Sequence, residues 1–174
     1  SEPYIVSSYK SHNEMNSNNI NDIYIDEEKR IWIANYPEGI TIIDNRYKSY
    51  NWIKHSIGNR QSLVNDQVHS VIEDSDGDLW FGTSNGISLY QSKTGQWHSF
   101  LSSFDHQLKN KNHIFITLCE VSPGIIWAGG YTSGVYKINK RTLSVEYFSP
   151  YLLNPDNIRP DKYIRDIVKD SKGY

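Results

Sequence analysis

Apolar residues along this chain come in short bursts that alternate with polar ones, and each burst ends in turn chemistry. Ile20-Asn-Asp-Ile-Tyr-Ile-Asp26 is followed by Arg30-Ile-Trp32-Ile-Ala34 and then by Gly39-Ile-Thr-Ile-Ile-Asp44. A period of two over five or six residues predicts strands whose side chains face alternate sides of a sheet. The longest uninterrupted apolar runs, Ile31–Ala34 and Ile125–Ala128, are four residues, too short for a helix that spans a bilayer. The only alanines are Ala34 and Ala128, and the chain has thirteen tyrosines and five tryptophans, a balance that favours strand over helix. An all-β fold is therefore expected.

The bursts repeat as a unit. Val68–Asp74, Asp78-Leu-Trp80-Phe-Gly82 and Gly86-Ile-Ser-Leu-Tyr90 form a second copy, and His113–Cys119, Ile125-Ile-Trp127-Ala-Gly129 and Gly134-Val-Tyr-Lys-Ile138 a third. The tryptophans Trp32, Trp80 and Trp127 are 48 and 47 residues apart, and a glycine follows them by 7, 6 and 7 residues. Tyr163–Asp170 and Ser171-Lys-Gly173 resemble the start of a fourth copy. In the second copy four strands are predicted, a to d, over Val68–Glu73, Leu79–Thr83, Ile87–Gln91 and Gln96–Phe100. They are joined by Asp74-Ser-Asp-Gly77, Ser84-Asn85-Gly86 and Lys93-Thr94-Gly95 turns. A 40–50-residue period of four antiparallel strands is that of a β-propeller blade, which buries its sheet faces only against neighbouring blades. The recurring tryptophan is expected to fill the gap between blades. This predicts a β-propeller fragment: residues 4–9 as the outer strand of a preceding blade, blades over 20–54, 68–100 and 113–148, and the first strand of a further blade within 163–174. The opening Ser1-Glu2-Pro3 reads as an internal start, so a larger parent or a homodimer that covers the open faces is expected.

The stretch Asp74-x-x-Gly-x-Leu-Trp-Phe-Gly-Thr-x-x-Gly-Ile-x-x-Tyr90 resembles the two-component regulator propeller repeat. The likeness is looser in the first copy, where Glu27-Glu-Lys-Arg30 replaces the Asp-Gly turn, and loosest in the third, where Val121-Ser-Pro-Gly124 does. The resemblance implies the periplasmic sensor region of a bacterial hybrid two-component system, which detects oligosaccharides and regulates polysaccharide-utilisation genes through a histidine kinase. It also implies that this segment is not itself an enzyme, that its partners are an oligosaccharide and the remaining blades of the parent chain, and that any membrane contact belongs to the parent protein. The chain has no kinase His box, ATP-binding glycine box or receiver aspartate. A protein-interaction scaffold, and a propeller glycosidase or lyase, remain alternatives.

Charge and chemistry refine this picture. The net charge is −2 with no basic patch, so nucleic acid is not an expected partner. Cys119 is the single cysteine, so no intrachain disulfide forms. Asp74-Ser-Asp76-Gly77-Asp78 has the wrong ligand spacing for a calcium loop and reads as a turn. Six scattered histidines lack metal-ligand spacing, so no metal or cofactor is expected. The acids on the predicted ligand face, Glu38, Asp66, Asp105, Asp156 and Asp161, are too few to favour a glycosidase pair. In a propeller the b–c turns and d–a loops surround the mouth of the central channel and vary without disturbing the stack. Tyr36 and Tyr131 occupy equivalent b–c turns and are the first candidates for stacking on a sugar ring. Arg60, Asn85 and Arg159 are candidates for bonding its hydroxyls.

Overall fold

The computed structural model describes residues 19–44, 49–102, 113–148 and 163–170. Among these the regular structure is entirely β: three four-stranded antiparallel sheets, each in sequential strand order. Blade 1 comprises β1 (Ile20–Ile25), β2 (Ile31–Asn35), β3 (Gly39–Asp44) and β4 (Ser49–Ile53). Blade 2 comprises β5 (Val68–Glu73), β6 (Leu79–Thr83), β7 (Gly86–Tyr90) and β8 (Trp97–Phe100). Blade 3 comprises β9 (Phe115–Ser122), β10 (Ile125–Gly130), β11 (Val135–Asn139) and β12 (Ser144–Phe148). The first strands lie side by side, β1 against β5 and β5 against β9, so the blades fan out from their a strands as in a propeller.

The core lies between blades. Trp32, Ala34 and Ile40 of blade 1 pack on Val68, Val71, Leu79, Phe81 and Trp97 of blade 2, with Leu63 of the connecting loop inserted among them. Trp80, Ile87, Leu89 and Phe100 form the opposite face of blade 2 and meet Phe115, Leu118, Ile126, Ala128 and Ile138 of blade 3. Alternation along each strand thus sends one set of side chains to each neighbour. The repeated tryptophan does fill these gaps in blades 1 and 2, and it has a polar role as well. Its indole N–H donates to the aspartate six residues earlier, Trp32 to Asp26 and Trp80 to Asp74, both at 2.8 Å. In the third copy that position is Val121, and Trp127 is only half-buried, against Phe148.

Polar contacts tie the blades at the channel edge, where each a strand has no ladder partner on its inner side. Asn21 donates to the Val68 carbonyl, the Val71 N–H donates to Asp22, and the Tyr24 hydroxyl donates to Glu73. At the next junction Glu120 accepts from the backbone and hydroxyl of Ser75. Lys140 Nζ lies 2.7 Å from Asp74, 2.9 Å from Asp76 and 2.9 Å from Asp78. The acidic turn of blade 2 is therefore closed by an ammonium group from blade 3, while Asp74 caps the turn by accepting from the N–H groups of Asp76 and Asp78.

Two expectations need correction. The third blade's first strand begins at Phe115, not at His113, whose carbonyl instead accepts from Gly86 N–H. Residues 163–170 take no strand pairing. They lie along blade 3, where Ile164 N–H donates to the Gly130 carbonyl and Thr117 donates to Asp166. A strand exists only through its ladder, and no described residue supplies a partner on the far side of this segment. Residues 4–9, assigned to an outer strand from the sequence, lie outside the described residues.

Candidate functional site at the channel mouth

Three b–c turns reach the same end of the fan, and each is fixed in the same way. The first turn residue donates its backbone N–H to the residue just before the a strand of its own blade or its neighbourhood: Tyr36 to Asn19 at 2.8 Å, Ser84 to Gln67 at 3.0 Å, and Tyr131 to Ile114 at 2.8 Å. Glycine at the end of the turn is required at Gly86, where φ is +99° and an added Cβ would stand 2.6 Å from the Phe100 carbonyl oxygen.

The a strands contribute a second set of residues. Each has a register shift near its start, leaving Asn21, His69 and Ile116 without a cross-strand partner. Such bulges re-aim side chains. Here they bring His69 and Ile116 into a cavity of about 390 Å³, shared with Tyr36, Gln67, Ser84, Ile114 and Tyr131. Tyr36 and Tyr131 come from blades 1 and 3, with His69 and Ser84 of blade 2 between them. The arrangement offers aromatic walls, an isoleucine-lined side and a short polar row.

The polar row has a defined hydrogen-bond direction. Asn21 Nδ2 lies 3.3 Å from His69 Nδ1, and an amide nitrogen can only donate, so Nδ1 accepts. His69 Nε2 then carries the proton and donates to Ser84 Oγ at 2.8 Å. Burial holds the His69 pKa below its ordinary value, which favours this neutral form. The Tyr36 ring lies 5.9 Å from the His69 ring. Tyr131 meets Tyr163 edge-to-face at 4.7 Å, and Arg165 lies over Tyr163. With Ser84 Oγ accepting from histidine, its own hydroxyl proton can be directed to a bound acceptor.

Of the sequence-predicted residues, Tyr36 and Tyr131 are brought together. Asn85 adjoins Ser84 but does not line the cavity; its N–H is held by the Thr83 hydroxyl. Arg60 is exposed on the loop between blades 1 and 2 and does not line this cavity. Arg159 lies outside the described residues. His69, Gln67 and Ser84 are not among the sequence-predicted residues; the signal for His69 is its equivalence to Asn21 in the first two copies, whereas its match to Ile116 in the third emerges only from the strand register. Among the described residues no group of three or more His, Cys, Asp or Glu side chains is placed to hold a metal ion.

A family model described as the two component regulator propeller matches residues 14–36 and 62–85. The search of curated proteins finds no match. Among solved structures, the chain is similar to the extracellular domain assigned to the hybrid two component system BT3049 from B. thetaiotaomicron. The TM-score is 0.74 at 22% identity, over 95% of this chain and 22% of that one. It is also similar to the extracellular domain assigned to the hybrid two component system BT4673 of the same organism. There the TM-score is 0.69 at 22% identity, over 99% of this chain and 20% of that one. A more distant likeness is to YCF48 bound to D1 peptide, with a TM-score of 0.51 at 12% identity, over 73% of this chain and 38% of that one. The chain thus spans about a fifth of the length of the first two, and these likenesses establish the propeller fold.

Proposed function

Because the chain carries two-component regulator propeller repeats, we propose that it is a segment of the extracytoplasmic sensor region of a hybrid two-component receptor and takes part in ligand detection without catalysing a reaction. The ligand class that suits the channel mouth is an oligosaccharide. The observation that carries this reading is the convergence of Tyr36 and Tyr131, from blades 1 and 3, on one cavity with the polar row of His69 and Ser84. Flat rings stack on the apolar face of a pyranose, and neutral donors and acceptors bond its hydroxyls. In this reading the segment lies in the periplasm, further blades of the parent chain cover its open faces, and a homodimer transmits the signal. A ligand shifts that assembly only by its differential affinity for two arrangements. Regulation of polysaccharide-utilisation genes belongs to the parent kinase.

Calorimetry of the chain against neutral and acidic oligosaccharides tests the proposal, with Tyr36→Ala and Tyr131→Ala as probes. Loss of one stacking ring is expected to weaken binding about tenfold, in line with an aromatic contact of about 1 kcal/mol or more. Product formation in the same mixtures contradicts the non-catalytic reading. The similarity to YCF48 in its peptide complex favours one second reading, a peptide-binding scaffold. Binding of extended peptides with indifference to every oligosaccharide would support that reading instead.

A further inference from the structure

A second and larger cavity, about 470 Å³, opens away from the channel, in the wedge between blades 1 and 2. The connecting loop inserts Leu63 between the two sheets and ties Val64 to the Ser88 hydroxyl of blade 2, both residues buried. Outside that plug the walls are Ile42 and Asn51 of blade 1 and Tyr90 and Trp97 of blade 2, with Gln61 and Ser62 of the loop between them.

The walls are built rather than incidental. Gln61 accepts from Trp97 N–H at 2.9 Å and donates to the Trp97 carbonyl at 3.2 Å, so its amide pairs with the open edge of β8 as a strand would. This holds the loop against blade 2. Trp97 is fixed further by Tyr90, whose ring is 5.0 Å away, and by Phe81, which stacks on it at 5.9 Å. The Tyr90 hydroxyl and the Asn51 amide make no hydrogen bond to any described residue, although both face the cavity. The cations at the rim are already matched, Arg30 by Asp26 and Glu28 and Lys54 by Glu38, and the rim also carries the Asp44 carboxylate, which disfavours an anion.

We propose that this inter-blade cleft binds a neutral saccharide unit, with the Asn51 amide and the Tyr90 hydroxyl bonding its hydroxyls beside the apolar surface of Ile42, Tyr90 and Trp97. The charge balance of the rim selects an uncharged sugar over a uronate or sulfated one, since no unpaired cation is offered to an anion. The volume accommodates one or two pyranose rings. Because one wall belongs to each blade, an occupant bridges the blade 1–blade 2 junction and stiffens it. The proposal is independent of the channel-mouth reading and does not require that site to be occupied.

The test is an NMR titration of the 174-residue chain with neutral tetrasaccharides of glucose, mannose, galactose and xylose, alongside a uronate tetrasaccharide. Assigned amide and indole signals of Asn51, Gln61 and Trp97 report the cleft, and those of Ser84 and Tyr131 report the mouth. At least one neutral tetrasaccharide is expected to shift the cleft signals. Tyr90→Phe and Asn51→Ala are each expected to weaken that effect about three- to tenfold, the range for one lost hydrogen bond. Tyr90→Phe removes a hydroxyl without a protein partner, so its unfolding midpoint stays at the wild-type value and a folding defect is separable. Tighter cleft binding by the uronate, or cleft signals unmoved by every neutral sugar, overturns the proposal. Shifts confined to the mouth also overturn it while leaving the sensor reading intact, whereas shifts confined to the cleft sustain it and count against the mouth.

Discussion

Blade 2 and blade 3 carry the same repeat, yet they differ sharply in what their strands bury. Every residue of β6 is buried, and Trp80 and Phe81 are fully so on opposite faces, because blade 2 has a neighbour on each side. In β12 the pattern is almost wholly exposed, with Val145 and Tyr147 at 37% and 44%. The first strand of blade 1 mirrors this, with Ile23 and Ile25 more than half exposed. A strand sequence therefore specifies a blade, but the energy that holds the blade comes from the sheets on either side. The tryptophan shows this in miniature: same repeat position, yet Trp80 is sealed between Phe100 and an aspartate while Trp127 stays partly open without one.

The largest effect that can break this comparison is at the tryptophans themselves. Trp80→Ala is expected to cost about 3–5 kcal/mol, as for other fully buried aromatics, and Trp127→Ala about half as much, both read from urea unfolding midpoints. Equal costs would mean that neighbours do not decide the matter. Next comes the latch between blades 2 and 3. Lys140→Ala leaves the buried carboxylates of Asp74 and Asp78 without their counter-ion and is expected to cost about 3 kcal/mol. Burial alone would lower the Lys140 pKa, but its hydrogen bonds to Asp74, Asp78 and Asp76 outweigh that and raise it. A raised folded-state pKa stabilises fully below the unfolded value of about 10.4 and loses that contribution as pH rises through the folded value. The gap between wild type and Lys140→Ala should thus persist through neutral pH and narrow only in strong alkali.

A smaller effect sharpens the comparison at the same junction. A Cβ at Gly82 would meet Ser70 Oγ at 2.5 Å and the Phe115 carbonyl oxygen at 2.8 Å, so the close approach of β6 to β9 depends on this glycine. Gly82→Ala is expected to cost about 1–3 kcal/mol by overpacking, more than Gly95→Ala, where space is open and only the positive φ opposes the substitution. The smallest effect is at Asp26. Burial pushes its carboxyl pKa up, yet the Trp32 indole and Arg30 outweigh burial and hold it below the usual carboxylate range. A depressed folded-state pKa stabilises above the unfolded value of about 4 and is lost as pH falls through the folded one. Asp26→Asn should therefore cost about 1 kcal/mol near neutrality, and the difference should close under acid, followed by thermal midpoint against pH.

Much of this architecture was legible because it repeats. Alternation and turn residues located the strands of blade 2 almost to the residue, and equivalence of Tyr36 and Tyr131 located two walls of the channel-mouth cavity. What escaped depends on geometry that no local pattern encodes. The bulge that re-aims His69 is a feature of register, visible only once β5 is paired with β6. Lys140 reaches the acidic turn from more than sixty residues away, so the turn itself was legible at Asp74-Ser-Asp-Gly77 but the side chain of the next blade that neutralises it was not. Arg60 has the chemistry of a ligand contact, but its loop turns toward the wedge between blades, and the residue of that loop with a structural task is Gln61.

Native-state hydrogen exchange of the 174-residue chain tests most directly whether stability resides between blades. Amides paired within β6 and β7 are expected to exchange slowest, at the rate set by global unfolding, with β1 and β12 opening at markedly lower free energy. Uniform protection across all three sheets, or slower exchange in β12 than in β6, would contradict the account.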